Sequence, residues 1–412
     1  MGTRPRNPPE RRDTLEKLHG KRGRTIFLLV SFLLWFPHFL YVPILSPYLE
    51  FLGGKYAFIG IVLGSYGMMQ LLCRIPIGIF SDLLKARKAF VVLGMISSAL
   101  SCVLFSISDH LGLVLLARCL AGLAAASWVD FTVLYSSYFR AREVHRAMGG
   151  ISFIVVLAQF LGMSLGGYIA DEWGWRGSFW LGAVFSLTGV ILSFFINDSE
   201  KKPESEPLKV IDLVSVMREP MLLKASLLSV LAHSMIFTTM FGFIPTYVIH
   251  IGLEAGDISL LVVAFMIPHA IATLFIGKFL VPFLGKWRSL KTAFLMAAIF
   301  TMLIPLAKSL MVLIILQAFS GFALGLIFPL LLGMSVESIP QEKRATAMGA
   351  YQALYAIGIF AGPFIAGIFI SIKGIETGFY FAGLLGLAAN LFILYWNQIE
   401  VHSKQPARQI NE

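Results

Sequence analysis

Twelve runs of about 20 mostly apolar residues follow one another along this chain, each long enough to cross a bilayer core as a helix. Lipid offers the backbone no hydrogen-bond partners, so segments this apolar must pair their own N–H and C=O groups as helices. The runs are residues 25–47, 57–82, 88–108, 111–137, 148–171 and 177–196, then 221–250, 256–284, 290–307, 310–336, 347–372 and 377–397. Only 14% of the 412 residues are charged and 57% are hydrophobic. A soluble domain carries about 25% charged residues, so this chain cannot clothe a water-facing surface. The expectation is an all-α integral membrane protein of twelve transmembrane helices. Its domains are a basic tail (1–24), a six-helix bundle (25–197), a linker (198–220), a second six-helix bundle (221–397) and a tail (398–412).

The net charge of +10 is not spread evenly. It gathers in the N-terminal tail, at Lys85, Arg87 and Lys88, at Arg140, Arg142 and Arg146, at Lys201, Lys202 and Lys209, at Lys286, Arg288 and Lys291, and at Lys343 and Arg344. The alternate connections hold only Lys55, Arg176, Lys308 and Lys373. Basic loops stay cytoplasmic, so both termini are expected inside a cell (inner or plasma) membrane. The charge is thus an orientation signal and not a nucleic-acid footprint. The polar N-terminus is no secretory signal. Cys73, Cys102 and Cys119 sit in apolar runs without the spacing of a disulfide framework or metal site. In the linker, Val210, Leu213, Val214 and Met217 stand at helical spacing, which fits an interfacial amphipathic helix or a plain tether.

The two halves repeat. Ala147-Met-Gly149 returns as Ala347-Met-Gly349, Gly162 as Gly362 and Gly167 as Gly367, all displaced by 200 residues. Gly122 returns as Gly321 and Gly78 as Gly277, displaced by 199. Such an offset implies two bundles of like topology related by an axis along the membrane normal, with a substrate site between them near the midplane.

Local motifs then narrow the family. Gly78-Ile-Phe-Ser-Asp82-Leu-Leu-Lys-Ala-Arg87-Lys88 resembles the major facilitator superfamily signature G-x-L-A-D-R-x-G-R-K, with Leu83 and Lys85 in place of the usual Arg and Gly. Arg118 to Ala126 resembles that family's R-x-x-Q-G-x-G-A-A, with Ala121 at the Gln position. Ala158 to Gly167 resembles its exporter motif G-x-x-x-G-P-x-x-G-G, with Met163 at the proline position and Pro363 in the repeat. The resemblance implies that Gly78, Asp82 and Arg87 form a conformational latch, Asp82 meeting the start of the eleventh helix near Ala347 to Gly349. It also implies proton coupling or intrabundle contacts for Arg118. A cavity lined by the first and fourth helices of each half, with help from the second and fifth, makes candidates of Trp35, His38, Tyr66, Gln70, Trp128, Gln159, His233, Gln317, Tyr351, Gln352 and Tyr355.

Ionisable groups inside a membrane are costly and mark function by default. Arg74, Arg118 and Asp130 are the deep charges. Arg74 and Asp130 each lie about 12 Å below the inner surface at 1.5 Å per residue, a depth that allows an ion pair between them, as helix staple or as a gate or coupling element. Asp130 is about 120° around the helix from Arg118 and does not share its face. Direct binding of an anionic substrate is a second reading of Arg118. His38, His233 and His269 are candidate proton carriers.

These residues point to a secondary active transporter, working as a monomer by alternating access, that exports a drug or metabolite in exchange for protons. Uptake of an organic anion or sugar is the alternative. A membrane-embedded enzyme needs a nucleophile with a base in reach or a metal cluster, and the sequence offers neither a catalytic motif nor a metal or cofactor motif. The expected partners are a small-molecule substrate, protons and lipid.

Overall fold

The computed structural model describes residues 8–139, 143–197, 215–340 and 343–404. Among them are twelve helices long and apolar enough to span a membrane. The first six are α1 (Arg22–Phe51), α2 (Tyr56–Leu84), α3 (Arg87–Ile107), α4 (Leu111–Ser136), α5 (Ala147–Trp173) and α6 (Trp175–Ser193). The second six are α7 (Pro220–His250), α8 (Ala255–Phe275), α9 (Lys286–Leu306), α10 (Leu310–Ser335), α11 (Thr346–Lys373) and α12 (Glu376–Trp396). The helix that holds α1 extends back to Pro8, into the stretch read as a polar tail. Val210, Leu213 and Val214 of the linker lie outside the described residues. Val216 beside them is buried against Leu222, Ile339 and Ala347.

The repeated glycines show why the halves fold alike. On α5, Gly162 presses on the backbone of Phe36 and Leu40 in α1, and on α11 its repeat Gly362 presses on Ser234 in α7. On α4, Gly122 meets Tyr66 and Met69 of α2, while on α10 Gly321 meets Phe265 of α8. Membrane helices gain little from burying apolar surface, so small residues that let backbones approach fix which helices pair. Each equivalent pair therefore makes the equivalent contact, and the two six-helix bundles come out related by a pseudo-two-fold axis.

Several helices depart from simple spans, and two of these departures bear on the site. In α4 the helix breaks at Ser127, whose hydroxyl bonds Ala124 O at 2.7 Å. In α7 a π-turn covers Thr239–Phe243 just before Pro245, which has no N–H to give the preceding turn.

The end of α2 carries a strained residue. Lys85 caps it at φ 50°, ψ 36°, in the left-handed region, at the place where the resembled motif has glycine. A side chain there costs about 1–2 kcal/mol. Lys85→Gly is expected to raise stability by about 1 kcal/mol, read as a higher unfolding midpoint in detergent.

Candidate functional site

The bundles meet at the end of the molecule away from the basic connections. There α2 crosses α11, with Gly60 against Pro363 and Gly367, Gly64 against Phe360, and Gly67 against Ile359 and Phe360. The symmetric crossing puts Gly167 of α5 on Ala255 and Ser259 of α8. Hydrogen bonds also join the halves: Ala57 N–H to Ser371 Oγ at 2.7 Å, Tyr168 N–H to Ser259 Oγ at 2.9 Å, and Ser46 Oγ to Gly242 O at 2.5 Å. Gly242 lies in the π-turn of α7. Toward the basic end, Gly149 of α5 and Gly349 of α11 face open space, and a Cβ on either would meet nothing within 4 Å.

Beneath this seal lies a cavity of about 310 Å³ between the bundles. It falls at the small end of the usual range for ligand sites, about 300–1,000 Å³. Nine of the eleven candidates read from the sequence line it: Trp35, His38, Tyr66, Gln70, Trp128, Gln159, His233, Gln352 and Tyr355. Gln317 and Tyr351 do not. Gln317 is buried inside the second bundle with both side-chain polar atoms unpartnered, and Tyr351 turns away to donate to Ser229 Oγ at 2.8 Å. His269 also lies off the cavity, stacked on Phe265.

Both deep arginines line the cavity as well. Arg74 is 5% exposed and donates to Gln70 Oε1 on its own helix at 2.7 Å and to Gln352 Oε1 of the other bundle at 2.9 Å. Arg118 is 1% exposed, with its guanidinium 4.4 Å from the Tyr66 ring centre and 5.8 Å from that of Tyr41. Its Nε and Nη1 have no hydrogen-bond partner. The aromatic walls are ordered in pairs: the His233 and Tyr355 rings stack at 4.0 Å, and Trp35 and Trp128 meet edge-on at 5.3 Å.

The Arg74–Asp130 pair that depth allows does not form. Arg74 faces α11 and the cavity, whereas Asp130, past the break at Ser127, faces the start of α3. There Arg87 Nη1 stands 3.6 Å from Asp130 Oδ1 and the same guanidinium is paired with Asp82. Asp82 is thus engaged within its own bundle, and the start of α11 near Ala347 packs on Val216, Leu222 and Ile339. In the second half Lys286, displaced by 199 residues from Arg87, pairs with Glu337 at 2.5 Å.

Phe39, Val42, Phe237, Phe241 and Ile359 complete the lining and were not among the candidates. Helical spacing was the available signal. Positions 35, 38, 39 and 42 form one stripe of α1, 66, 70 and 74 one of α2, and 233, 237 and 241 one of α7.

Comparison with known proteins agrees with this architecture. The family model described as Major Facilitator Superfamily matches residues 27–310 and, in a second match, 250–410. The inner membrane transport protein YajR of Escherichia coli (strain K12) is 30% identical over 225 residues, 53% of this chain and about half (48%) of YajR. Multidrug resistance protein 2 of Bacillus subtilis (strain 168) is 21% identical over 392 residues, 91% of this chain and 96% of that protein. A bacterial homologue of the human lysosomal transporter Spinster, solved inward-facing and unoccupied, superposes with TM-score 0.76 at 13% identity, over 91% of this chain and 96% of its own. With twelve spans, two repeated bundles and a family match across both halves, the chain belongs to the Major Facilitator Superfamily.

Proposed function

We propose that this transporter exports a small organic solute by alternating access, in exchange for protons, from a cell membrane in which both termini are cytoplasmic. The observation that carries the proposal is the cavity between the bundles, sealed at the end away from the basic connections. A site at the interface of two repeats is where rocking of one bundle on the other switches access. The basic connections set the orientation. In that orientation the seal lies on the outer side, which leaves the cytoplasmic side as the way in for a solute to be exported. The kinship with a protein named for multidrug resistance supports the outward direction.

We assign the proton to His38, which lines the cavity. Its Nδ1 lies 3.0 Å from Leu34 O and its Nε2 2.8 Å from Ala121 O. A neutral imidazole donates to one carbonyl only; the protonated ring satisfies both. Inside-out vesicles with an acidified lumen are expected to accumulate lipophilic fluorescent dyes above vesicles lacking the protein, and a protonophore should abolish the gain. His38→Ala should remove uphill accumulation and keep downhill exchange. Accumulation by right-side-out vesicles instead would reverse the direction, and pumping untouched by protonophore would remove the proton.

A further inference from the structure

The cavity holds two guanidinium groups whose neighbours leave their charge uncompensated. The acceptors on Arg74 are the neutral amide oxygens of Gln70 and Gln352, which satisfy donors without cancelling charge. Against Arg118 stand aromatic faces and unfilled donor positions. Among the described residues no Asp or Glu lines the cavity, and neither arginine has a carboxylate within 4 Å. The deep carboxylate, Asp130, is held by Arg87 away from the cavity. A charge in the low dielectric of a membrane interior is stabilised by a counter-charge, and nothing in the cavity wall supplies one.

We infer that the missing counter-charge is the substrate, and that this cavity binds a small organic anion with a flat apolar body. This deepens the proposed export function and rests on the same cavity. The anion's oxygens take the free N–H groups of Arg118 and the N–H groups of Arg74 that now rest on amides. A guanidinium fork suits the planar carboxylate and also receives phosphate. The body of the molecule lies between the Trp35–Trp128 pair of the first bundle and the His233–Tyr355 stack of the second. Because Gln352 and His233 belong to the second bundle and Arg118 to the first, one bound anion touches both moving parts.

Charge at constant shape decides the matter. The full-length protein, purified in nanodiscs, is titrated with 2-naphthoate and naphthyl phosphate, the neutral 2-naphthamide, and the cationic 2-naphthylmethylammonium, by equilibrium binding and thermal shift. At least one anion is expected to bind saturably, about tenfold or more tighter than the amide, with no binding of the ammonium. Which anion wins separates carboxylate from phosphate recognition. Arg118→Gln and Arg74→Gln should each weaken that anion about tenfold or more, and Arg118→Lys, which keeps the charge but not the fork, should fall between. Gel filtration and unfolding midpoints confirm that each variant is folded, and a misfolded Arg118→Gln leaves the decision to the other two. Ammonium bound as tightly as the anions, no saturable anion binding, or wild-type affinity in a folded Arg74→Gln/Arg118→Lys double variant overturns the inference. Energised dye export without anion binding would sink the substrate class alone. Anion binding with no flux of any solute in proteoliposomes would sink the export reading and keep the anion site.

Discussion

Gly67→Leu is expected to hold the sealed end open and to cut transport by tenfold or more while the protein still folds. A Cβ at this position would stand 2.7 Å from Ile359 Cβ and from Phe360 N, in the α2–α11 crossing. Backbone cannot yield as a flexible side chain does, so α11 must move away. Overpacking of this kind costs about 1–3 kcal/mol. Access states of one protein differ by only a few kcal/mol, so the cost changes their ratio by about tenfold to a hundredfold. The penalty falls on the state in which this end is closed, and the folds of the two bundles do not depend on it. A cysteine in place of Leu63, which is buried facing Gly242 of α7, reports the seal. It should react slowly with an impermeant maleimide in the parent protein and rapidly in Gly67→Leu. Slow labelling in both, with transport lost, would mean that the α2–α11 crossing is not the seal.

Arg87→Ala should be the most destabilising change at the basic end, by about 3–5 kcal/mol. Asp130 is fully buried, neither of its oxygens has a hydrogen-bond partner, and Arg87 is its ion partner. Truncating the arginine strands the carboxylate, and the cost is that of an unpaired buried charge, not that of the lost contact. Asp130→Asn in the Arg87→Ala background removes the stranded charge and should recover most of the stability. Unfolding midpoints of the two single variants and the double variant form the cycle that tests this. Equal midpoints for Arg87→Ala and the parent would mean that Asp130 carries no charge there for Arg87 to balance.

The fold was legible because lipid leaves the chain few choices. Spans announce themselves as apolar runs, and the glycines 200 residues apart mark the same helix contacts in both halves. The cavity was legible where a polar side chain, a Trp or a Tyr in a span called for a reason. It was illegible where the lining is plain hydrocarbon, as at Val42, Phe237 and Ile359. The pairing of Arg74 with Asp130 failed for a geometric reason: depth fixes height along a helix and says nothing of direction around it. The stripe through Tyr66 and Gln70 sends Arg74 to α11, and the break at Ser127 that turns Asp130 toward α3 has no signature in the sequence. Gln317 is a cavity candidate because the fourth helix of each half lines the cavity in the resembled family. The two halves share a path but not a polarity, and the amide lies inside its own bundle.

The two uncompensated guanidinium groups also bear on how the membrane potential acts. A cationic solute leaving the cell in exchange for one proton moves no net charge and feels only the pH gradient. A monoanion leaving in exchange for one proton moves two charges in the same sense, and an interior-negative potential drives both. Each charge contributes about 2.3 kcal/mol per 100 mV. If export runs in exchange for protons as proposed, a cavity that selects anions makes the cycle electrogenic, with voltage as its larger source of work, and such a transporter would keep pumping at an external pH where an electroneutral exchanger stalls.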